Sequence, residues 1–349
     1  MNASGRLVPR VHRASVHAPD GARARLATVV AALRRPASYP GAVECVEVIE
    51  THMSWVFLTE SHAYKLKKPI QTAHLDHSTI EARRQACETE LRLNRRLAPT
   101  VYLAVVPLAS ADGTLCVGGA GPPTDWLVKM RRLPRHRMLD VCIERGSVLT
   151  PEVDSLAVVL AKFYATAERT VSAGPAYRSR LASSIESMRA SLEQTRYGLA
   201  RTEISAVVEA QRRWLLRHGT VLEARAGAVV DAHGDLRPEH ICLEREPVVI
   251  DCLEFDRELR LLDPVSELSF LALECRRFGA AWIGEQLLAR YAEASGDHAP
   301  APLIPFYESY HAIVRAAVAV WHLDDDALDH SDAWRERAGL YLKLARELL

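Results

Sequence analysis

Residues 229–256, VVDAHGDLRPEHICLEREPVVIDCLEFD, interrupt a helical half of the chain with short strands and loops. The stretch places His233, Asp235 and His240 close together in one loop, and Asp251 directly follows the apolar run PVVI. A loop island inside a helical region usually carries function, because a rigid scaffold lets loops present reactive side chains. We therefore expect the chemistry of this protein in residues 229–256.

The rest of the sequence predicts two parts with different secondary structure, divided near residue 134. Before residue 134, alternating and turn-rich segments predict strands, among them a hairpin at SWVFLTESHAYKLKK, followed by one helix starting at Ser78 or Thr79. After it, apolar spacing of helical period dominates. We predict an α/β (α+β) fold with a flexible tail at 1–22, a small strand-rich lobe at 23–133 and a mainly helical lobe at 134–349.

Composition narrows the class of protein. The chain has 349 residues, 48% hydrophobic and 25% charged, which is typical of globular proteins. Lys plus Arg and Asp plus Glu both number 44, so we expect neither nucleic acid nor a membrane as partner. No apolar run approaches the roughly 20 residues of a membrane span. The seven Cys form no C-x-x-C pair, which favours reduced thiols in a cytoplasmic protein.

The first 38 residues are rich in Arg and contain one acidic residue, Asp20. This bias resembles a transit peptide, but the segment lacks the apolar core of a signal peptide. We favour a disordered start followed by a short helix at ARARLATVVAALRR.

Four charged residues occur in the order that phosphoryl transfer from ATP requires. Such a site needs a Lys for the phosphates, a Glu that holds the Lys, an Asp for the acceptor hydroxyl and an Asp for Mg²⁺. Lys65 lies on a predicted strand, Glu90 on the next helix, Asp235 in the loop and Asp251 after a short strand. Each alone is usually a solvated charge, whereas the ordered set favours a site.

Two of these assignments have rivals at neighbouring positions. Lys67 shares a strand face with Lys65, because side chains two residues apart point to the same side. Glu88 lies on the same predicted helix as Glu90. The sequence leaves both choices open.

Several separated motifs resemble one known family. HGDLRPEHICL and VVIDCLEFD resemble the catalytic block of aminoglycoside phosphotransferase-like proteins, a family similar to choline and fructosamine kinases. ETHMSWVFLTESHAYKLKKPI, ETELRLNRRLAPTVYLAVVPL and VKMRRLP resemble a bacterial branch often fused to a C-terminal P-loop ATP-binding domain. The resemblance covers roughly residues 25–290 and implies a two-lobed protein-kinase-like fold that phosphorylates a hydroxyl of a small molecule with ATP and Mg²⁺.

The resemblance also implies residue roles. Lys65, paired with Glu90, would hold the ATP phosphates. Asp235 would be the catalytic base, His233 would brace its loop, and Asp251 would bind the metal.

Two further positions match the family pattern. Residues near Met130 would form the hinge that meets adenine. Asp263 matches an Asp-Pro position, where a helix N-cap is as good an interpretation as a functional role.

The chain departs from the family at the second metal ligand, where His240 replaces the expected Asn. Mg²⁺ prefers oxygen ligands and imidazole suits softer metals. Either His240 contacts phosphate directly, or the site tolerates Mn²⁺, or the second metal is lost and activity is low.

The chain also departs at the phosphate loop. No glycine-rich stretch precedes Lys65; Thr51, His52 and Ser54 either donate hydrogen bonds to phosphate or form a plain strand end. Because no Walker-type motif occurs, we expect a stand-alone version of the fused proteins' first half.

Other functions fit parts of the pattern. A metal-dependent hydrolase would use His233, Asp235, His240 and Asp251, but would leave the Lys and Glu without a role. A nucleotide-binding pseudoenzyme would explain His240.

The acidic segment WHLDDDALDHSD, which begins at Trp321, is either a solvated helix end or a surface that attracts a cationic acceptor.

Overall fold

A computed structural model describes residues 20–71, 75–111, 114–170, 173–324 and 331–349. Most of the predicted flexible tail and the central aspartates of the acidic segment lie outside these residues. The chain forms two compact units. The strand-rich unit comprises the described residues of Val11–Val141 and His240–Glu258, and the helical unit comprises those of Cys142–Glu239 and Leu259–Leu349.

The strand-rich unit is built on one antiparallel sheet with the strand order β1-β2-β3-β6-β4-β5. A separate two-stranded pair, β8 with β9, and two helices complete the described part of this unit. The elements are α1 (Asp20–Leu33), β1 (Glu47–Glu50), β2 (Ser54–Leu58), β3 (His62–Lys67), α2 (Ile80–Asn94), β4 (Tyr102–Ala111), β5 (Thr114–Val117), β6 (Pro123–Arg131), β8 (Ile241–Cys242) and β9 (Val248–Val249).

The predicted hairpin is confirmed as β2 and β3. Its register pairs Val56 with Lys65, and Ser54 with Lys67. Alternation along β3 buries Tyr64 and Leu66 in an apolar cluster on one face of the sheet. The two lysines therefore lie together on the opposite face.

Of the two N-cap candidates for α2, Ser78 and Thr79, the structure has Thr79, whose side chain accepts a hydrogen bond from the Ala82 N–H. The buried Arg83 anchors the helix to β6 through Asp125, with a 2.8 Å contact between Nη2 and Oδ2. Cys87 of the helix packs in the same apolar cluster as sheet residues. This packing leaves Glu90, on the same helix, completely buried.

The helical unit consists of long helices and one short antiparallel pair, β7 with β10. Helix α7 is buried along nearly its whole length and forms the centre of the unit. None of the described helices is long and apolar enough to cross a membrane. After the short helix α3 (Leu139–Glu144), the elements are α4 (Thr150–Thr166), α5 (Gly174–Leu192), α6 (Arg201–Ala224), β7 (Val230–Asp231), β10 (Leu261–Leu262), α7 (Pro264–Arg277), α8 (Ala281–Ser295), α9 (Leu303–Trp321) and α10 (Ser331–Glu347).

A buried histidine in the helical unit predicts acid sensitivity. His311 stacks on Phe270 and contacts the Ser266 hydroxyl, and burial lowers the pKa of His311 to about 3. Its unfolded pKa is about 6.5, so its stabilisation is complete above that pH and is lost as pH falls below it. We expect protonation of His311 in the unfolded state to lower the free energy of unfolding by about 2 kcal/mol as the pH falls from 7 to 5.

Urea denaturation at the two pH values tests this expectation. In the His311→Gln variant, which cannot titrate, the unfolding free energy should fall by about 2 kcal/mol less than in the wild type over the same interval. An equal fall in both proteins would contradict the assignment.

Candidate active site

Three of the four predicted charges meet in the strand-rich unit. The Lys65 ammonium lies 2.9 Å from Glu90 Oε1 and 2.6 Å from Asp251 Oδ1. The lysine comes from β3, the glutamate from α2 and the aspartate from the turn after β9. The Lys65 side chain is 13% exposed, so the ammonium is held inside the protein and does not point into bulk solvent.

The rival lysine also contacts Glu90. Lys67 Nζ lies 2.6 Å from Glu90 Oε2 and 2.6 Å from Glu254 Oε1, with its side chain only 1% exposed. Glu90 therefore bridges both ammonium groups. The rival glutamate does not take part, because Glu88 is exposed and pairs with Arg84. Glu254 was not predicted as a site residue, although it lies only three residues after Asp251.

Opposite charges control ionisation in this cluster. Burial alone would lower the pKa of Lys65, but Asp251 and Glu90 raise it well above its usual value. Burial opposes ionisation of Asp251, yet Lys65 and then His240 hold its pKa well below the usual range. The pKa of Glu90 is lowered by the two lysines against the effect of burial. The ammonium groups and both carboxylates are therefore charged at neutral pH.

His240 lies beside Asp251, with 3.6 Å between Nε2 and Oδ2. The pairing of β8 with β9 brings the two residues together, and the Ile250 N–H donates to the His240 carbonyl at 2.9 Å. The Asp251 side chain remains 42% exposed, so a carboxylate oxygen is accessible to a cation. Asp251 supplies the oxygen ligand that Mg²⁺ prefers, whereas His240 adds one suited to a softer metal.

A larger metal-ligand cluster is absent from the described residues. In that part of the chain, no three His, Cys, Asp or Glu side chains are grouped as they would be around a metal ion.

In the helical unit, a buried carboxylate supports the loop that carries Asp235. Glu267 of α7 accepts hydrogen bonds from the Gly234 N–H at 2.5 Å and the His233 N–H at 3.1 Å. The Tyr164 hydroxyl donates to the same carboxylate at 2.7 Å. Gly234 has a φ of 88°, which glycine adopts without strain. Glu267 was not predicted from the sequence, where its one signal is its position four residues after Asp263.

The side chain of His233 contributes a second support. It is fully buried, and its Nδ1 accepts a hydrogen bond from the Asp235 N–H at 3.3 Å. The Asp235 carboxylate lies 3.0 Å from the Arg237 guanidinium and remains partly exposed. The loop backbone is thus fixed from within, while the Asp235 carboxylate is accessible.

The other residues predicted for the site lie within a strand of the sheet or at the start of a strand or helix. Met130 is a buried residue of β6, opposite Ala63 of β3. Ser54 is buried at the start of β2, and its carbonyl accepts a hydrogen bond from the Thr51 hydroxyl. Asp263 accepts a hydrogen bond from the Val265 N–H as the N-cap of α7.

The environment of Asp263 supports a structural role. Its buried carboxylate also accepts hydrogen bonds from the Arg225 guanidinium and the Tyr307 hydroxyl. Of the two interpretations of this Asp-Pro position, the helix cap is the one that the geometry favours.

Sequence comparison links this chain to proteins of undetermined role. No family model matches it. It is 36% identical over 281 residues to an uncharacterized protein of Mycobacterium tuberculosis and to one of Mycobacterium bovis. The match covers 78% of this chain and 54% of each relative, so the chain spans about half the length of the curated relatives it matches.

Solved structures with a similar fold are small-molecule kinases. A choline/ethanolamine kinase family protein from Mesorhizobium loti matches 91% of this chain and 99% of its own, with a TM-score of 0.55 and 16% identity. A choline kinase from Cryptosporidium parvum matches 92% and 96%, with a TM-score of 0.53 and 11% identity.

A glucosamine kinase solved with glucosamine, ADP and inorganic phosphate matches 85% of this chain and 79% of its own, with a TM-score of 0.50 and 15% identity. At these identities the likeness concerns the fold alone. The fold predicted from the sequence is confirmed, and the chain has the protein-kinase-like fold of these small-molecule kinases.

Proposed function

We propose that this protein transfers a phosphoryl group from ATP to a hydroxyl of a small molecule. One observation carries the proposal: the Lys65 ammonium lies between the carboxylates of Glu90 and Asp251 in a protein-kinase-like fold. Phosphoryl transfer depends on positioning and charge stabilisation, and a fixed ammonium beside a metal-binding carboxylate serves both needs.

The proposed roles follow the chemistry of each group. Lys65, oriented by Glu90, neutralises charge on the ATP phosphates. Asp251, with His240 beside it, holds Mg²⁺ or Mn²⁺. When bound, the cation neutralises the charge that develops on the phosphate oxygens.

The remaining roles concern the acceptor hydroxyl and the adenine of ATP. Asp235 accepts the proton of the acceptor hydroxyl, since its carboxylate is accessible. Its loop is positioned by His233 and Glu267. Backbone near Met130 contacts adenine.

A small polar acceptor is the substrate class we propose. The similar structures include kinases of choline and glucosamine, both small molecules with a hydroxyl and a nitrogen. Fold alone does not fix the acceptor, because function depends on the residues of the acceptor pocket.

A nucleotide-binding protein without turnover is the second candidate. The observation that favours it is the 3.6 Å approach of His240 to Asp251, at the position where the family has an oxygen ligand. An imidazole there weakens Mg²⁺ coordination relative to an amide oxygen.

A screen of acceptors separates these functions. The purified protein is incubated with ATP and either Mg²⁺ or Mn²⁺, and ADP release is measured against a panel of small alcohols, amino alcohols and amino sugars. We expect at least one acceptor to raise ADP release well above the rate with water alone. Nucleotide binding without such stimulation would favour the second candidate, and tightly bound zinc in the purified protein would favour a hydrolase.

A further inference from the structure

The backbone at Asp251 has an unusual conformation. Its φ is 62°, and it is the one non-glycine residue with a positive φ in the described ranges. L-residues adopt this region rarely, although Asp does so more readily than most. Such a conformation persists where the surrounding structure holds it. The turn that carries the proposed metal ligand therefore depends on its neighbours.

Two buried side chains accept the successive N–H groups of this turn. The Tyr102 hydroxyl oxygen accepts from the Asp251 N–H at 3.1 Å, and Asn94 Oδ1 accepts from the Cys252 N–H at 2.8 Å. Both side chains belong to residues that are 1% exposed. The hydrogen bond of the Cys252 N–H is buried and that of the Asp251 N–H is partly buried, and an N–H left without a partner in such a place is costly.

The Asn94 amide is fixed at both ends. Its Nδ2 donates to the Glu90 carbonyl at 2.9 Å, so its oxygen faces the Cys252 N–H. Asn94 lies one helical turn after Glu90 on α2, which places the two residues on the same face of the helix. The helix that presents Glu90 to Lys65 therefore also holds the backbone next to Asp251.

Tyr102 is equally constrained. It lies at the start of β4, pairs with Met130 of β6, and packs in an apolar cluster with Ala98 and Val101. Its ring is buried in this cluster, and its hydroxyl oxygen accepts the hydrogen bond of the Asp251 N–H from there.

We infer that Asn94 and Tyr102 are positioning residues that hold the metal-binding turn at Asp251. The inference rests on the proposed function, in which Asp251 binds the cation that accompanies ATP. Without either acceptor, the turn relaxes toward a negative φ and moves the Asp251 carboxylate away from its place beside Lys65. The loss should therefore appear in metal-dependent nucleotide binding and not in binding of the nucleotide itself.

Two variants test the inference. Tyr102→Phe removes a single oxygen atom, and Asn94→Leu replaces the amide by an apolar group of similar size. Calorimetry would measure the affinity for a non-hydrolysable ATP analogue in Mg²⁺ and in EDTA. We expect each variant to bind about tenfold more weakly in Mg²⁺, the size of effect of one lost buried hydrogen bond. Affinity in EDTA should stay within about twofold of the wild type.

A matched control excludes a general effect of removing a tyrosine hydroxyl. Tyr64 is 2% exposed and lies on the opposite face of the same sheet, so Tyr64→Phe should bind as the wild type does under both conditions. If Asn94→Leu does not fold, Tyr102→Phe decides the question, since it removes one oxygen atom and leaves the ring in place.

The outcomes separate this inference from the proposed function. Wild-type affinity of Tyr102→Phe in Mg²⁺ would overturn the positioning role and leave the proposed function intact. Equal losses in Mg²⁺ and EDTA would also overturn it, because they indicate a general distortion. A wild-type protein that binds no nucleotide under either condition would overturn both.

Discussion

Replacement of Asp235 by Asn is expected to lower turnover about a thousandfold, within the range that general bases contribute. The amide matches the carboxylate in shape but cannot accept the proton of an acceptor hydroxyl. The loop should keep its conformation, because Glu267 and His233 accept hydrogen bonds from its backbone N–H groups, which this substitution leaves unchanged. Nucleotide affinity should therefore stay within about threefold of the wild type.

Steady-state rates with the best acceptor of the screen, together with a nucleotide titration, measure both effects. Asp154→Asn is a matched control, since Asp154 is a half-buried aspartate of α4 that contacts Gln286. It should turn over at the wild-type rate. Full activity of the Asp235→Asn variant would refute the assignment of the base.

The two buried lysines should respond differently to replacement by methionine. Lys65→Met removes the ammonium between Glu90 and Asp251, and we expect turnover to fall by about a hundredfold, as for loss of one electrostatic donor in an active site. The fold should survive this change, because Lys67 still neutralises Glu90. Turnover and urea denaturation of the same preparation test both parts.

Lys67→Met should instead affect stability. Lys67 is 1% exposed and is in contact with two carboxylates, Glu90 and Glu254. Lys65 still contacts Glu90 in this variant, but Glu254, whose side chain is 13% exposed, loses its ammonium partner. Removing one partner of a buried ion pair costs roughly 3–5 kcal/mol of unfolding free energy. The folded fraction should keep most of its activity. The reverse pattern, an inactive stable Lys67→Met and an active unstable Lys65→Met, would assign the phosphate-binding role to Lys67.

Local signals in the sequence account for the parts of the fold that were predicted correctly. The alternation across residues 54–67 and the short polar turn inside it predict the hairpin, and Thr79 provides a recognisable helix cap. Because successive side chains of a strand point to opposite faces, Lys65 and Lys67 also fall on one face. For the same reason, the sequence could not choose between them, and in the structure both contact Glu90.

The supporting residues could not be predicted from the sequence, because their roles depend on contacts between distant parts of the chain. Tyr102 and Asn94 contact the turn at 251–252 across about 150 intervening residues, and the motif at 88–108 that contains both does not predict such a contact. Glu267 and Glu254 look like ordinary charges on a helix and in a loop, since burial is visible only after folding. A family resemblance could indicate the reacting residues, whereas their supports required the structure.

We propose that Lys65, Glu90 and Asp251 together hold a nucleoside triphosphate and its cation. This is tested by titrating the wild type and Asp251→Asn with a non-hydrolysable ATP analogue, with and without Mg²⁺. We predict that Mg²⁺ strengthens binding to the wild type at least tenfold and leaves binding to Asp251→Asn unchanged. Equal strengthening in both proteins, or no nucleotide binding by the wild type, would contradict the claim.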